Sequence, residues 1–115
     1  MIVEHRMDGV VCVVSMKGNL ALDEANEAKS ALLALINNED VKSIVINMAD
    51  VKYLDSKGLG VLVLAYKNMG AKRKKFAICE VTERNSEIFN KTSLNKLIQI
   101  VETERDAIAT ITSAE

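Results

Sequence analysis

The sequence predicts a single α/β domain built on a mixed, mostly parallel sheet, with the elements in the order β-β-α-β-α-β-α-β-α. An Asp-Gly pair separates two β-rich runs at the start of the chain, which is a strong signal for an N-terminal hairpin. Thereafter, apolar runs of strand length alternate with runs that follow the 3.6-residue helical period. Strands that alternate with helices are joined by right-handed crossovers, so we expect them to lie parallel.

The composition fits one domain that covers residues 1–115. Apolar residues make up 49% and charged residues 27% of the chain, which is sufficient for one hydrophobic core. The net charge is −1, aromatic residues make up 3%, and Trp is absent, so neither charge nor base stacking favours nucleic acid. No secretion signal and no apolar run of roughly 18 residues is found. We therefore expect a cytoplasmic protein that binds neither nucleic acid nor membranes directly.

The first third of the chain predicts a hairpin followed by a helix. Strands at residues 2–7 and 10–16 flank Asp8 and Gly9, and residues 17–20 then break the strand pattern. Asp23 is a good N-cap for the helix that follows. The apolar positions of this helix keep the helical period and are Ala25, Ala28, Leu32, Leu35 and Ile36. Asn37 and Asn38 end the helix, because asparagine tolerates left-handed geometry.

The middle of the chain, residues 41–70, predicts a central strand and a buried helix. Residues 43–47 form an apolar run without alternation, which is typical of a strand covered on both faces. A polar connection and a short segment ending at Leu54 follow. Asp55 is the predicted N-cap of the next helix, which ends over residues 68–70. Its predicted buried face consists of Leu59, Leu62, Val63 and Tyr66.

The last third predicts two more strands, each followed by a helix. A strand covers residues 75–81, and Thr82 caps a short helix that carries Ile88 and Phe89. Another strand covers residues 97–101. Residues 103–106 then match a capping box ahead of a final helix. The apolar face of this helix consists of Ala107, Ile108 and Ile111.

The candidate functional site is the sharp turn at which the central helix begins. Free N–H groups and the positive end of the helix dipole make such a point suitable for an anion, including a phosphate. Ser56 could act there as a nucleophile, as a phosphoacceptor, or only as a helix-start residue. Leu54 occupies a place where a nucleophile elbow has glycine, the only histidine, His5, lies in an opening strand, and the phosphate-loop pattern is absent. From the residues alone, a capped turn without further function remains open.

The two cysteines and a run of basic residues are expected to have structural roles rather than chemical ones. Cys12 and Cys79 lie in strand-like apolar runs, so we expect two buried, reduced thiols. No C-x-x-C motif or Cys/His cluster is present, so we predict no metal site and no cofactor. A basic run consists of Lys67, Lys72, Arg73, Lys74 and Lys75. We expect this run to complement a helix end and to solvate a loop.

Residues 54–60, L-D-S-K-G-L-G, resemble the bacterial anti-sigma factor antagonists of the STAS domain family. The mark of these proteins is D-S-[small]-G-L-G at the start of a helix. The preceding I-V-I-N-M-A-D-V-K-Y-L-D is similar to the strand and approach of the family, and residues 18–20 are similar to its G-x-L turn. The likeness continues through residues 88–94, 97–100 and 106–108, so it spans nearly the whole chain.

This resemblance implies a STAS-like fold and a partner switch rather than an enzyme. In the family, the unmodified antagonist binds an anti-sigma factor, a GHKL-type serine kinase, and frees a sigma factor. The kinase phosphorylates the antagonist to break the complex, and a PP2C-type phosphatase reverses the modification. Position by position, the phosphoacceptor falls on Ser56. The implied partner-binding residues are Asp55, Ser56, Lys57, Gly58, Leu59 and Gly60.

Two positions depart from the family pattern. Lys57 stands where a small residue is usual, which puts a cation beside the acceptor, and Ala21 replaces an acidic or small polar residue. An alternative is therefore a STAS scaffold or adaptor module of a signalling assembly, in which Ser56 is not phosphorylated. A small nucleotide-binding or hydrolytic protein is a third hypothesis. The missing phosphate loop and the missing base argue against it.

Overall fold

The sheet and helices are described over residues 1–113 of a computed structural model. The elements, in chain order, are β1 (Ile2–Asp8), β2 (Val11–Leu20), α1 (Leu22–Ile36), β3 (Ser43–Leu54), α2 (Ser56–Ala71), β4 (Lys75–Cys79), α3 (Glu83–Lys91), α4 (Leu94–Leu97), β5 (Ile100–Val101) and α5 (Glu104–Ser113). This is the predicted order with one short helix, α4, added.

The five strands form one sheet in the order β1-β2-β3-β4-β5. β1 and β2 are antiparallel, whereas the pairs β2–β3, β3–β4 and β4–β5 are parallel. The predicted hairpin and the mostly parallel sheet are therefore confirmed. Asp8 pairs with Val11, so the turn itself consists of Gly9 and Val10. Gly9 has φ +61, at the first central position, where a two-residue hairpin turn commonly has glycine.

β2 and β3 are both longer than predicted. β2 does not break at residues 17–20, because this segment continues to pair with β3 up to Leu20 opposite Leu54. β3 is one strand of 12 residues, so the predicted polar connection after residue 47 was also wrong. Shifts of register between Ser15 and Lys17 and between Gly18 and Asn19 allow the two strands to remain paired. These shifts depend on the partner strand, and local sequence patterns did not indicate them.

The start of α1 also differs from its prediction. The N-cap residue is Ala21, whose side chain makes no capping hydrogen bond, and Asp23 lies in the first turn of the helix. Asp23 is therefore not the N-cap. Of the five predicted apolar positions, Ala25, Ala28, Leu32 and Ile36 are buried and Leu35 is half-buried, which confirms the orientation of the helix against the sheet.

α2 begins after Asp55 as predicted, but the predicted buried face was wrong. The buried residues are Gly58, Val61, Leu62, Ala65 and Met69. Of the predicted face only Leu62 is fully buried, and α2 is buried along one face rather than nearly all round. An almost uniformly apolar helix offers several possible faces, and the small residues on this one allow α2 to approach the sheet closely. The helix continues to Ala71, and the left-handed residue beyond it is Arg73, with φ 58.

The C-terminal third agrees with its predicted caps more closely than with its predicted strands. The hydroxyl of Thr82 accepts from the Asn85 N–H at 3.3 Å, and that of Thr103 accepts from the Asp106 N–H at 3.1 Å. β4 ends at Cys79 rather than at residue 81. The predicted strand over residues 97–101 is reduced to the two residues of β5, because Leu97 belongs to α4.

Hydrophobic clusters cover both faces of the sheet, as the apolar run of β3 predicted. On one face, α1, α2 and α3 contribute Leu32, Leu62 and Phe89 to the larger cluster. On the other face, α5 packs Ala107 and Ile111 over the strands. Within residues 1–113, none of the helices has the length and apolarity that crossing a bilayer requires.

Both cysteines are buried and have free thiols, as expected. Burial raises the pKa of the Cys12 thiol above its ordinary value. Burial, together with the nearby carboxylates of Glu80 and Glu104, raises the pKa of Cys79 to about 12. Both thiols therefore remain protonated at neutral pH and are poor nucleophiles.

Candidate functional site

Two helices begin side by side at the carboxyl ends of β2 and β3. Leu20 and Leu54, the last residues of these strands, are paired in the sheet. α1 begins two residues after Leu20, and α2 begins two residues after Leu54. The N-terminal N–H groups of both helices therefore lie at the same edge of the sheet, and these groups need acceptors.

The carboxylate of Asp55 supplies an acceptor to each helix. Its Oδ1 atom accepts from the Gly58 N–H at 2.9 Å, and its Oδ2 atom accepts from the Leu22 N–H at 3.2 Å. The Asp55 N–H donates to the Leu20 carbonyl at 3.4 Å. Asp55 thus caps α2 and accepts a hydrogen bond from the first N–H of α1. Its hydrogen bonds also join the turn before α1 to the turn before α2.

These hydrogen bonds stabilise the charged form of Asp55. The N–H of Gly58 has the largest effect in lowering the pKa of this carboxyl below its ordinary value of 3.8; partial burial opposes this, and the N–H of Leu22 lowers the pKa further. Asp55 is therefore ionised at neutral pH, and its charge complements the positive ends of two helices.

Gly58 lies where the backbone of α2 meets the end of β2. A Cβ atom built on Gly58 would lie 1.9 Å from the carbonyl oxygen of Leu20. No side chain larger than hydrogen fits there unless the backbone moves. Gly60, two residues later, has open space around the corresponding position. The two glycines of the motif therefore have different roles, one at a close backbone approach and the other on the surface.

The remaining predicted site residues divide between surface and core. Ser56 and Lys57 are exposed in the first turn of α2, as is Gly60 in the next turn. The Ser56 side chain is thus at the surface and not sealed in the interior. Leu59 is half-buried and packs against the larger core cluster. Of the six predicted residues, Asp55 and Gly58 hold the turn together, whereas Ser56, Lys57 and Gly60 are accessible to a partner.

Two exposed apolar residues beside this turn were missed by the sequence analysis. Leu22 is 68% exposed and Tyr53 is 43% exposed. The guanidinium of Arg84 lies 5.5 Å from the centre of the Tyr53 ring, within the range of a cation–π contact. Leu22 also has φ 49, a left-handed conformation that is unfavourable for a leucine. No local signal distinguishes Leu22 from the apolar residues of α1 that pack inward.

Two shallow depressions flank the start of α2. One of about 300 Å³ lies on the Leu22 side and is lined by Asn19, Ala21, Leu22, Asp23, Glu24 and Tyr53. The other, of about 310 Å³, lies between α1 and α2 and is lined by Ala25, Asn26, Lys29, Lys57, Gly60, Val61 and Leu64. The first carries acidic groups and the second carries lysines. A partner that covers Ser56 would therefore meet charges of both signs.

Among residues 1–113, no histidine lies on the strands or helices that form the turn at Ser56. His5 lies in β1, which β2 separates from β3 and from the turn that β3 leads into. Within the described part of the chain, no group of three or more His, Cys, Asp or Glu side chains could hold a metal ion. What the site offers is an exposed hydroxyl beside exposed apolar residues, between a depression with acidic groups and a depression with lysines.

Part of the basic run stabilises other helices. The Lys74 ammonium donates to the carbonyls of Ile36 at 2.6 Å and Asn38 at 3.0 Å, at the C-terminal end of α1. The Lys75 ammonium donates to the Ile111 carbonyl at 3.2 Å, in the last turn of α5. Cations are favourable at these negative helix ends. Lys74 and Lys75 thus stabilise helix ends, but those of α1 and α5 rather than that of α2, whose last turn contains no basic residue.

Substitution by alanine should have opposite effects on stability at Gly58 and at Gly60. Gly58→Ala should lower the free energy of unfolding by about 1–3 kcal/mol, because the new methyl group must displace backbone at Leu20. Gly60→Ala, the matched control, should raise it by about 0.5–1 kcal/mol, because alanine is the better helix former and has open space. Urea denaturation measures both. Equal stability of the two variants would contradict the close approach.

The lowered pKa of Asp55 predicts a pH-dependent contribution to stability. A carboxyl with a depressed folded-state pKa stabilises the fold above its unfolded-state pKa, and this contribution is lost as the pH falls through the folded-state value. Asp55→Asn should therefore be less stable than the wild type at pH 7, and the difference should shrink below the ordinary pKa of 3.8.

Denaturation at a series of pH values tests this expectation, and Asp23→Asn is the control. Asp23 is also an exposed acid in a first helical turn, but it is not the N-cap. A difference between Asp55→Asn and the wild type that stays constant with pH would contradict the role of the Asp55 charge.

Comparisons with known proteins identify the family of the chain. The profile of the STAS domain matches residues 3–107. The chain is 30% identical over 89 residues to the anti-sigma-B factor antagonist of Staphylococcus epidermidis, an alignment that covers 77% of this chain and 82% of that protein. The family implied by the D-S-K-G-L-G motif is therefore confirmed.

Solved structures agree on the fold. An anti-sigma factor antagonist from Mycobacterium paratuberculosis superposes with a TM-score of 0.89 at 23% identity, over 96% of this chain and 93% of that one. The phosphorylated form of the Bacillus cell fate determinant SpoIIAA gives 0.75 at 17% identity, over 96% of this chain and 99% of that one. Anti-sigma factor antagonists are regulatory binding proteins and not enzymes. The chain belongs to the STAS domain family, and its relatives there are anti-sigma factor antagonists.

Proposed function

We propose that this chain binds an anti-sigma factor through the surface around Ser56, so that a sigma factor is released, and that phosphorylation of Ser56 ends this binding. The observation that carries the proposal is the exposed Ser56 at the start of α2, directly after the capping Asp55. The anti-sigma factor would be a serine kinase of the GHKL type, and a PP2C-type phosphatase would restore the serine. Phosphorylation and dephosphorylation would take place in the cytoplasm, where ATP is available to the kinase.

The geometry supports access of a kinase to Ser56. The two oxygens of the neighbouring Asp55 carboxylate accept from the N–H groups of Gly58 and Leu22, so this side chain is fixed toward the protein. Ser56 and Lys57 are both exposed. A kinase could therefore reach the hydroxyl without unfolding α2.

The surroundings of Ser56 support its use as a docking surface. Leu22 and Tyr53 are exposed apolar residues beside the turn, and tyrosine is among the residues that are enriched in protein interfaces. Lys57 and Lys29 both line the depression between α1 and α2, which we call the basic groove. The proposed partner-binding residues Asp55, Ser56, Lys57, Gly58, Leu59 and Gly60 thus lie between an apolar patch and a basic groove.

The charge of a phosphate would act as the switch. Phosphorylation adds about −1.5 to −2 charges and three acceptor oxygens. A charge that is buried unpaired against a dry or acidic partner face costs several kcal/mol, which corresponds to a loss of affinity of roughly 10²-fold or more. Within the domain the effect should be mild, since the dipole of α2 favours the phosphate and Asp55 opposes it.

A second candidate function is a STAS scaffold or adaptor module whose Ser56 is never phosphorylated. The observation that favours it is Lys57, which is exposed directly beside the acceptor and lines the groove. A cation at this point could exclude a kinase that requires a small residue there. The two functions differ in whether Ser56 carries phosphate.

Incubation with ATP and the cognate kinase, followed by mass spectrometry, distinguishes these functions. We expect one phosphate on the wild type and none on Ser56→Ala. Ser30→Ala is the control and should be labelled like the wild type, because Ser30 is also an exposed helical serine but lies in α1. Label retained in Ser56→Ala would remove Ser56 from the mechanism. Absence of label from every variant would favour the scaffold.

Binding to the same kinase tests the consequence of the charge. Ser56→Glu should bind at least about 10²-fold more weakly than the wild type, whereas Ser30→Glu should bind normally. Equal affinity of Ser56→Glu and the wild type would contradict a docking surface centred on Ser56.

A further inference from the structure

β1 forms an edge of the sheet and has an open side. It pairs with β2 and with no other strand among residues 1–113. The strand has seven residues, and two of its apolar side chains are substantially exposed, Ile2 at 54% and Met7 at 50%. An edge strand presents unpaired N–H and C=O groups that can pair with another strand.

The hairpin register identifies the residues whose backbone groups face the open side. Asp8 and Val11 flank the two-residue turn, and such a flanking pair exchanges hydrogen bonds with each other. Because hydrogen-bonded and non-hydrogen-bonded pairs alternate along an antiparallel ladder, the N–H and C=O groups of Val3, His5 and Met7 point away from β2. These three residues can therefore make a second ladder.

We propose that β1 pairs with β1 of a second copy of this chain, antiparallel, about a two-fold axis at His5. In this register Val3 lies opposite Met7 of the second copy, and Glu4 lies opposite Arg6. The two-fold axis repeats each pair, so the strand pairing contains two such apolar pairs and two such ion pairs, besides two pairs of Ile2 with Asp8 and a central pair of His5 with its symmetry mate. Cross-strand pairs of both kinds are favourable.

Charge selects this register over its neighbours. The outward-facing groups of β1 can also meet if the axis lies at Glu4 or at Arg6. An axis at Glu4 places two carboxylates opposite each other, and an axis at Arg6 places two guanidinium groups opposite each other. Like charges directly opposite are unfavourable. The sequence of β1 is thus complementary to itself at one centre, His5, as a two-fold interface requires.

The existing contacts of Arg6 are compatible with this pairing. Its guanidinium forms an ion pair with Glu104, and its side chain is still 52% exposed. A guanidinium has five N–H donors and can serve two carboxylates. Glu4 is exposed and is on the same face of β1 as Arg6, because alternate strand residues share a face.

The paired edges would join two sheets into one of ten strands. β2 separates β1 from β3, the strand that leads to Ser56. The self-association is therefore independent of the proposed function and can be tested without a kinase.

The proposal is tested with variants in which the charges of Glu4 and Arg6 are reversed. Sedimentation equilibrium and light scattering over a range of protein concentrations measure dimer formation. The wild type should form a dimer. Glu4→Arg and Arg6→Glu should each weaken dimer formation by at least about tenfold, because each places like charges opposite at both ion pairs. An equimolar mixture of the two variants should form a heterodimer with near wild-type affinity, because a cation again faces a carboxylate at both places.

Two controls keep this test decisive. Glu87→Arg makes the same change of charge on the exposed surface of α3 and should dimerise like the wild type. Circular dichroism should show that each variant is folded, including Arg6→Glu, which loses its contact with Glu104. A wild type that is monomeric at every concentration would overturn the proposal. A Glu4→Arg variant that dimerises normally, or a mixture that stays monomeric, would also overturn it.

Discussion

The hydrogen bonds of one carboxylate organise the functional end of this domain. Asp55 accepts from the first N–H of α1 and from the first turn of α2, while its own N–H is bound by the end of β2. Without an acceptor, the N–H groups at these two helix starts would require water or another side chain. Because both oxygens of Asp55 are directed inward, the next residue, Ser56, stands at the surface on a fixed backbone.

The site therefore separates the residues that build it from those that a partner can meet. Asp55 caps α2. Gly58 permits a close backbone contact, because only glycine allows α2 to approach the Leu20 carbonyl. Ser56 and Lys57 are presented to solvent by this arrangement, and Leu22 is presented beside them in a strained conformation. Strain of this kind persists only where the surrounding contacts impose it, and here the N–H of Leu22 is bound by Asp55. A charge placed on Ser56 would thus change the surface while the supporting hydrogen bonds remain.

The parts of this arrangement that local chemistry determines could be predicted from the sequence. The hairpin follows from Asp8 and Gly9, and the caps at Asp55, Thr82 and Thr103 follow from their side chains. Contacts between distant segments could not be predicted. The register shifts that keep β2 paired with β3 depend on both strands, the buried face of α2 depends on the approach of Gly58 to Leu20, and the bond between Asp55 and Leu22 joins residues 33 positions apart. Leu22 precedes the predicted N-cap Asp23, and no role was therefore predicted for it.

The most direct test of this account is to compare the backbone amide NMR spectra of the unmodified chain and the chain phosphorylated at Ser56. If the Asp55 hydrogen bonds hold the two helix starts in place, the chemical shift changes should be confined to residues 20–24 and 53–60. The resonances of β1, β4 and α5 should be unchanged. Shift changes spread across the distant strands would show that the phosphate rearranges the fold, and they would contradict a switch that acts by local charge.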